Sequence, residues 1–350
     1  MTPRLLSLAA MLGEAIEGRD LSKGAFAKTF VGGAVFSATR LAEADFTGSD
    51  VREAVFDQCD MRGVVFRGAN LRQAVFNRCA LDGADMSQAH LQRTLFTECT
   101  LKQARFAGSN LAMASLSKCR LDGAVLNGSA LESAAFLDCS LVGAQADDTH
   151  WLHASVMECD VARLVWARAR MCRTVFYKTD LAHKSFVGLE LDGCQFSYAD
   201  LTGATFTDTA LRQCNFQGST LDGADFAGVR ASNAVFAGAR GQSVSFVGAE
   251  LRQALFTACH LPAARFDGAD LYQCNFADSE LSGAVFTGAE LQYADFSRAQ
   301  LAQVDARKAS MFRTVLHRAD TVDARFTDRA RALETNPALE RAELWQPGIG

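Results

Sequence analysis

The side chains in this 350-residue sequence best able to do chemistry near neutral pH are eleven cysteines and six histidines. Cys59, Cys79, Cys99, Cys119, Cys139 and Cys159 recur every twenty residues. Cys259 keeps their phase, and Cys194, Cys214 and Cys274 share a second one. Thiols at a fixed interval raise the question of a metal or redox ladder. Tetrahedral zinc needs thiolates converging to about 2.3 Å from the ion, whereas side chains repeated at constant phase point in parallel. Disulfides fail for the same reason, because parallel Cβ vectors about 4.8 Å apart miss the bridge geometry. These cysteines therefore read as small buried apolar groups, equivalent to alanine. Cys172 alone falls at an outward phase, which makes it the one reactive-thiol candidate.

The second constellation is Asp147, Asp148, His150 and His153 around Trp151, a set from which a metal site or an acid–base pair would be built. All four titratable residues occupy polar positions where solvation is the default, and no loop brings a third converging ligand. No P-loop, GxSxG, HExxH or CxxC occurs. The sequence predicts no catalytic residue, no metal and no cofactor, and an enzyme built on the Asp147/His150/His153 cluster ranks last among the readings.

What positions these residues is a period of five. Of the 25 phenylalanines, 23 carry numbers ending in 6, from Phe26 to Phe326, and only Phe30 and Phe312 fall outside the rule. Leucine fills most positions ending in 1, from Leu21 to Leu301. Two residues before each large residue sits a small one, as at Ala34, Ala44, Cys59, Ala69, Cys79 and Ala204, and the remaining positions are polar. Neither a helix nor an ordinary strand has this period, which is the mark of a solenoid. One large and one small inward residue in five describe a wall with a corner on each side. Glycine two residues after the large one, as at Gly48, Gly63 and Gly83, suits such a corner.

The segments ADF at 44–46, 224–226 and 294–296, ANL at 69–71, ADL at 199–201 and 269–271, and CNF at 214–216 and 274–276 resemble the A(D/N)LXX consensus of the pentapeptide-repeat family. The resemblance runs from Leu21 to about Phe326. It implies an all-β solenoid, a right-handed quadrilateral parallel β-helix with four pentapeptides to the coil. Those residues make roughly 15 coils, a rod about 70 Å long at a sheet spacing of about 4.8 Å. Phenylalanine would then line two opposite faces of the lumen and leucine the other two.

Such a solenoid exposes strand edges at its ends, which need covers. The expected organisation is an N-terminal helical cap over 1–20, with residues 3–17 helical after Thr2-Pro3, repeats over 21–326, and a C-terminal helical cap or tail over 327–350. Asn336-Pro337 would open that last helix, with Leu339, Leu344 and Trp345 on its apolar side. Topoisomerase-binding relatives dimerise end to end through this region, which implies a homodimer through those three residues. Four prolines and no Ser/Gly run leave no linker, no stretch reaches a membrane span, and cysteine usage without a secretion signal points to the cytoplasm. A formal charge of −5 argues against nucleic-acid or anionic-membrane binding.

The core rule lapses between 141 and 190. Ala146, Val156 and Trp166 replace phenylalanine, and Leu164, Lys184 and Leu189 fill small-residue sites. Arg163, Arg168, Arg170, Arg173, Lys178 and Lys184 face only Asp180 and Glu190 within 161–190. Arg163, Arg168, Arg173 and Lys178 are five apart, so they would ring four successive corners. This is either a distorted coil with solvated arginines or a binding band. The resemblance implies a scaffold that binds a protein partner, such as the accessory repeat proteins of type VI effector loading, or a DNA mimic that binds gyrase, as quinolone-resistance members do. Residues 191–300 hold twelve acidic and six basic residues, a dilute charge beside duplex DNA at one per about 1.7 Å.

Overall fold

The computed structural model describes residues 1–345. They form two compact units, 1–180 and 181 onward, each a parallel β-solenoid with twenty residues to the turn, about 16 turns in all. In the first unit the strands Ile16–Glu17 (β1), Val35–Ser37 (β2), Val55–Asp57 (β3), Val75–Asn77 (β4), Leu95–Thr97 (β5), Ser115–Ser117 (β6), Ala135–Leu137 (β7), Ser155–Met157 (β8) and Val175–Tyr177 (β9) stack in sequence order as one sheet. Each residue pairs with the one twenty positions on, as Phe36 with Phe56 and Phe56 with Phe76. The other walls are narrower, and single bridges such as Asp45↔Val65 carry the same register. In the second unit such bridges predominate, with Asp305–Ala306 (β10) and Arg325–Phe326 (β11) paired near its end.

The corner is the element that repeats. Every residue with a number ending in 3 or 8, from Gly13 to Asp323, has φ between 45° and 77°. Glycine takes fewer than half of these sites, and Lys, Arg, Glu, Gln and Asp fill most others. A side chain in the left-handed region costs about 1–2 kcal/mol, so the hydrogen bonding on both sides of each corner must hold it there. The Leu41 pentapeptide shows how. Leu41 N–H donates to Asp60 O at 2.7 Å, Glu43 N–H to Arg62 O at 2.9 Å, Ala44 N–H to Leu41 O at 3.1 Å and Asp45 N–H to Gly24 O at 2.8 Å.

One N–H in five, on the residue after the large one, has no backbone acceptor in this scheme. At about a third of these sites a side chain supplies it. Thr47 N–H donates to Asp45 Oδ1 at 2.8 Å and Ala112 N–H to Asn110 Oδ1 at 3.0 Å. Elsewhere the acceptor comes from one coil back, as for Lys102 N–H on Asp82 and Ala167 N–H on Asp147. The Asp/Asn of the repeat motif is thus an Asx turn that completes the backbone inventory.

Inside, phenylalanines one coil apart stack, with ring centroids 4.5 Å apart for Phe186–Phe206 and 4.7 Å for Phe36–Phe56. Opposite walls meet edge to face, as Phe226–Phe236 at 5.6 Å and 87°. Each ring buries roughly 1.5–3 kcal/mol of apolar surface. The cysteine ladder is buried and parallel, and it is more than a row of alanine equivalents. Cys79 Sγ–H donates to Phe56 O at 3.3 Å, Cys99 to Phe76 O and Cys119 to Phe96 O at 3.4 Å, where Thr39 and Thr179 use hydroxyls in the same column.

At the start, helix α1 spans Pro3–Met11, with Thr2 as N-cap and Leu6, Ala9 and Ala10 buried. It ends well before the residue 17 expected from its apolar pattern, because Gly13 turns at φ +68° and Ile16 already pairs with Phe36. At the other end, helix α2 (Pro337–Leu344) has Asn336 as N-cap and buries none of its residues. The last coils are instead covered by a 3-10 turn at Arg329–Arg331 and by Leu333, whose N–H donates to Thr314 O at 2.7 Å.

The irregular stretch keeps this geometry within the first unit. Corners Gly143 through Lys178 retain φ between 48° and 66°, and Ala146, Trp151, Val156, Leu164 and Trp166 are all buried. No bulge occurs there. The coil 141–160 exchanges volume instead: two phenylalanine sites shrink to Ala146 and Val156, and Trp151 takes a leucine site. Its indole N–H donates to Thr149 Oγ1 at 2.7 Å, and Thr149 Oγ1–H bonds Ala146 O. Volume-conserving exchanges of this kind are tolerated in close-packed cores. Trp151→Leu should therefore destabilise the protein by about 3 kcal/mol, and Ala146→Phe in that background should recover most of the loss. Chemical denaturation of both variants and of Ala146→Phe alone measures the coupling; simple additivity of the two changes would refute the exchange.

Candidate functional site

The residues singled out by charge lie on this unbroken frame. Arg163, Arg168, Arg173 and Lys178 each occupy a corner, at φ of 55°, 57°, 55° and 48°, while Arg170 sits mid-wall, bridged to His150. All five are exposed. Beneath them Leu164 and Trp166 are 5% exposed, so the cations stand on a packed coil.

Their electrostatics divide them. Arg168 forms a two-pronged pair with Asp148 one coil back, Nε to Oδ1 at 2.7 Å and Nη2 to Oδ2 at 2.6 Å. That hydrogen bonding holds the Asp148 carboxyl below its ordinary pKa and raises that of Arg168. Lys178 reaches Glu158 at 3.5 Å and lies 5.4 Å over the Tyr177 ring. Arg163, Arg170 and Arg173 make no ion pair among the described residues. The reason is in the columns: one coil back from them stand Gly143, His150 and His153 rather than carboxylates. Other arginines of this unit do meet an acid from the preceding coil or the same pentapeptide, as Arg40–Asp20, Arg52–Asp50 and Arg62–Asp60, while Arg19, Arg72, Arg93 and Arg105 are scattered cations with no ion pair among the described residues. The band is thus three unneutralised guanidiniums beside two neutralised cations.

The Asp147 cluster does not assemble. Asp147 accepts the Ala167 N–H and Asp148 holds Arg168. His150 Nδ1 stands 4.0 Å from Glu132, and His153 occupies an exposed corner. No group of three or more His, Cys, Asp or Glu side chains able to hold a metal occurs among the described residues. Among the thiols, Cys172 is half-buried at its outward position and the other ten are buried. Burial pushes the Cys259 and Cys274 thiols up to about 12. No described helix is long and apolar enough to cross a membrane.

In α2, Leu339 is 47%, Leu344 59% and Trp345 71% exposed. The helix is held by charge: Glu343 meets Arg318 at 2.8 Å, His317 Nε2 at 3.3 Å and Arg298 at 3.4 Å. Sequence reasoning missed this anchor, although an acidic residue in a tail that follows Arg298 and Arg318 was there to be read.

The twenty-residue coil, its left-handed corners and its walls of one large and one small inward residue define a pentapeptide-repeat solenoid. The chain matches the family described as pentapeptide repeats (8 copies) over residues 25–58, 59–97, 74–111, 89–128 and 190–228, and a pentapeptide repeat region over 210–286. These matches cover more than half of the chain, which therefore belongs to the pentapeptide-repeat family. A search of curated proteins finds no match. Among solved structures, the chain is similar to QnrB1, a plasmid-mediated fluoroquinolone resistance protein (22% identity, 63% of this chain and 90% of that one, TM-score 0.22). It is also similar to HetL of the cyanobacterium Nostoc, involved in heterocyst differentiation regulation (18%, 96% and 98%, TM-score 0.18). A third is a pentapeptide repeat protein of the Arabidopsis thaliana thylakoid lumen (21%, 40% and 71%, TM-score 0.20). None of these likenesses carries an argument about function.

Proposed function

We propose that this chain is a non-enzymatic protein-interaction scaffold that captures an acidic protein surface at Arg163, Arg168, Arg170, Arg173 and Lys178. The observation that carries this reading is the set of three exposed, unneutralised arginines standing on an undistorted coil. A guanidinium without a partner in the free protein loses no internal pair when it binds a carboxylate, and its planar fork suits two-pronged contacts. Rigid backbone beneath the side chains lowers the ordering cost of association. The eleven thiols, free of disulfides, fit a reducing compartment, the cytoplasm. An adaptor that holds an effector for a type VI secretion apparatus is one form such capture would take.

Gyrase binding by DNA mimicry is the weaker reading. Of the twelve acids in 191–300, Asp192, Asp200, Asp222, Asp225, Asp270 and Asp295 accept backbone N–H groups. Asp267, Asp278 and Glu280 pair with Arg265, Arg298 and His260. Most of that charge serves the fold.

Replacing Arg163, Arg168, Arg170 and Arg173 with serine should leave melting nearly unchanged, since exposed substitutions shift stability by about 0.5 kcal/mol or less each. It should abolish capture of the partner that co-purifies with the parent chain. Capture by the parent should weaken between 50 and 300 mM salt, because exposed charges are screened within about 8–10 Å. Equal capture by the quadruple variant would reject the band, and inhibition of gyrase supercoiling by that variant as well as the parent would favour the mimic. The exposed row Leu339, Leu344 and Trp345 is proposed as a homodimer contact. Light scattering should give a dimer mass for the parent and a monomer mass for Leu339→Ser/Leu344→Ser; a monomeric parent removes this proposal.

A further inference from the structure

The second unit carries an aromatic cluster for which core packing gives no reason. Phe312 is one of the two phenylalanines outside the period of five, and it lies outward, 40% exposed. Tyr293 holds a corner at φ +60° and is 41% exposed. That φ is the geometry of every corner in the solenoid; what sets this corner apart is the company of its ring. Tyr293 touches Tyr272 on one side and Phe312 on the other, each with ring centroids 5.6 Å apart and edge to face. The three rings form one preassembled outward strip.

That strip already binds cations of its own chain. The Arg252 guanidinium lies 4.5 Å over the Tyr272 ring and that of Arg331 5.2 Å over Phe312. Alongside runs a column of acids one coil apart, Glu250, Asp270 and Glu290, joined by bridges of adjacent coils. Asp270 is satisfied by Arg252 at 3.0 Å and by the Tyr272 N–H. Glu290 accepts only from Gln292 Nε2, at 3.0 Å. Glu250 and Glu290 are exposed, and neither has a cation or a backbone N–H among the described residues. Arg230, one coil before Glu250, forms no ion pair with it. Two like charges about 9.5 Å apart, two sheet spacings, therefore stand without an ion pair beside an aromatic strip whose outer rings, Tyr272 and Phe312, each already carry one guanidinium. Carboxylates next to aromatic faces select cationic side chains, through ion pairing and cation–π attraction together.

We propose that the wall formed by Tyr272, Tyr293, Phe312, Glu250 and Glu290 docks a Lys/Arg-bearing segment of a second protein. This surface is separate from the arginine band and selects the opposite charge, so the scaffold would hold two unlike partners.

The test uses the full-length protein and two synthetic ten-residue peptides, one alternating Lys and Thr and one alternating Glu and Thr, titrated by calorimetry at low salt. The Lys-Thr peptide should bind and the Glu-Thr peptide should not. Glu250→Gln/Glu290→Gln and Tyr293→Ser/Phe312→Ser should each weaken binding about tenfold. Asp208→Asn, which removes an exposed carboxylate elsewhere in this unit, and the quadruple arginine variant should leave it within about twofold. Binding that survives both wall variants overturns the proposal. Loss with the carboxylate variant alone also overturns it, because the rings would then play no part. So does self-association of the peptide-free chain that the wall variants abolish, since a second copy would then be the occupant.

Discussion

One backbone N–H in every pentapeptide has no backbone acceptor, and much of the surface follows from that shortage. A corner every fifth residue forces the chain into the left-handed region and turns four N–H groups toward carbonyls of the same or adjacent coils. The fifth lies at a half-buried or exposed position and takes a side-chain oxygen wherever one is in reach. Asp or Asn next to the large residue, or one coil back, provides it. Much of the chain's acidic character is thus set by the backbone, before any partner is considered.

That constraint changes how charge on these walls is to be interpreted. A carboxylate that accepts a backbone N–H or holds an arginine one coil away has a structural occupation, and counting it toward a binding surface overstates the field. Once those are set aside, fewer charges are left over, and some of them are grouped. The groups include Arg163, Arg170 and Arg173 in the first unit, and Glu250 and Glu290 beside the Tyr272–Tyr293–Phe312 strip in the second. Both sets sit on side chains that the core does not need, because outward columns carry little of the packing energy in an array held by nearest-neighbour coils.

The fold was legible because its period is written in the residues that fill it. Phe36, Phe56 and Phe76 stack at the spacing the sequence implies, and phenylalanine and leucine ladders fill the interior of each unit. Less legible were features that depend on which atom meets which. The thiols read as alanine equivalents, yet Cys79 and its neighbours donate to carbonyls, a role threonine shares in the same column. Ala146, Val156 and Trp166 read as a break in the core. Ala146 and Val156 belong instead to an exchange of volume with Trp151 that no single position reveals, and Trp166 is a larger ring packed in a phenylalanine site. The extent of α1 was overestimated because Ile16 continues the apolar pattern of the helix while its backbone already belongs to the first strand. In the band, the five cations look alike in sequence. Only the preceding coil, with Asp148 behind Arg168 and Gly143 behind Arg163, separates the neutralised from the free.

The central claim is that the arginine band is a binding surface mounted on a rigid coil, and not the by-product of a loosened one. Amide hydrogen exchange on the full-length chain addresses it directly. Arg170 N–H bonds Thr149 O and Val175 N–H bonds Ala154 O, both at 2.9 Å, as Asn70 N–H and Val75 N–H bond Ser49 O and Ala54 O in a regular coil at the same 2.9 Å. The account predicts that Arg170 and Val175 exchange as slowly as Asn70 and Val75, within about tenfold. Exchange of the 161–178 amides within seconds, while those of 61–78 stay protected, would show an open coil and contradict it.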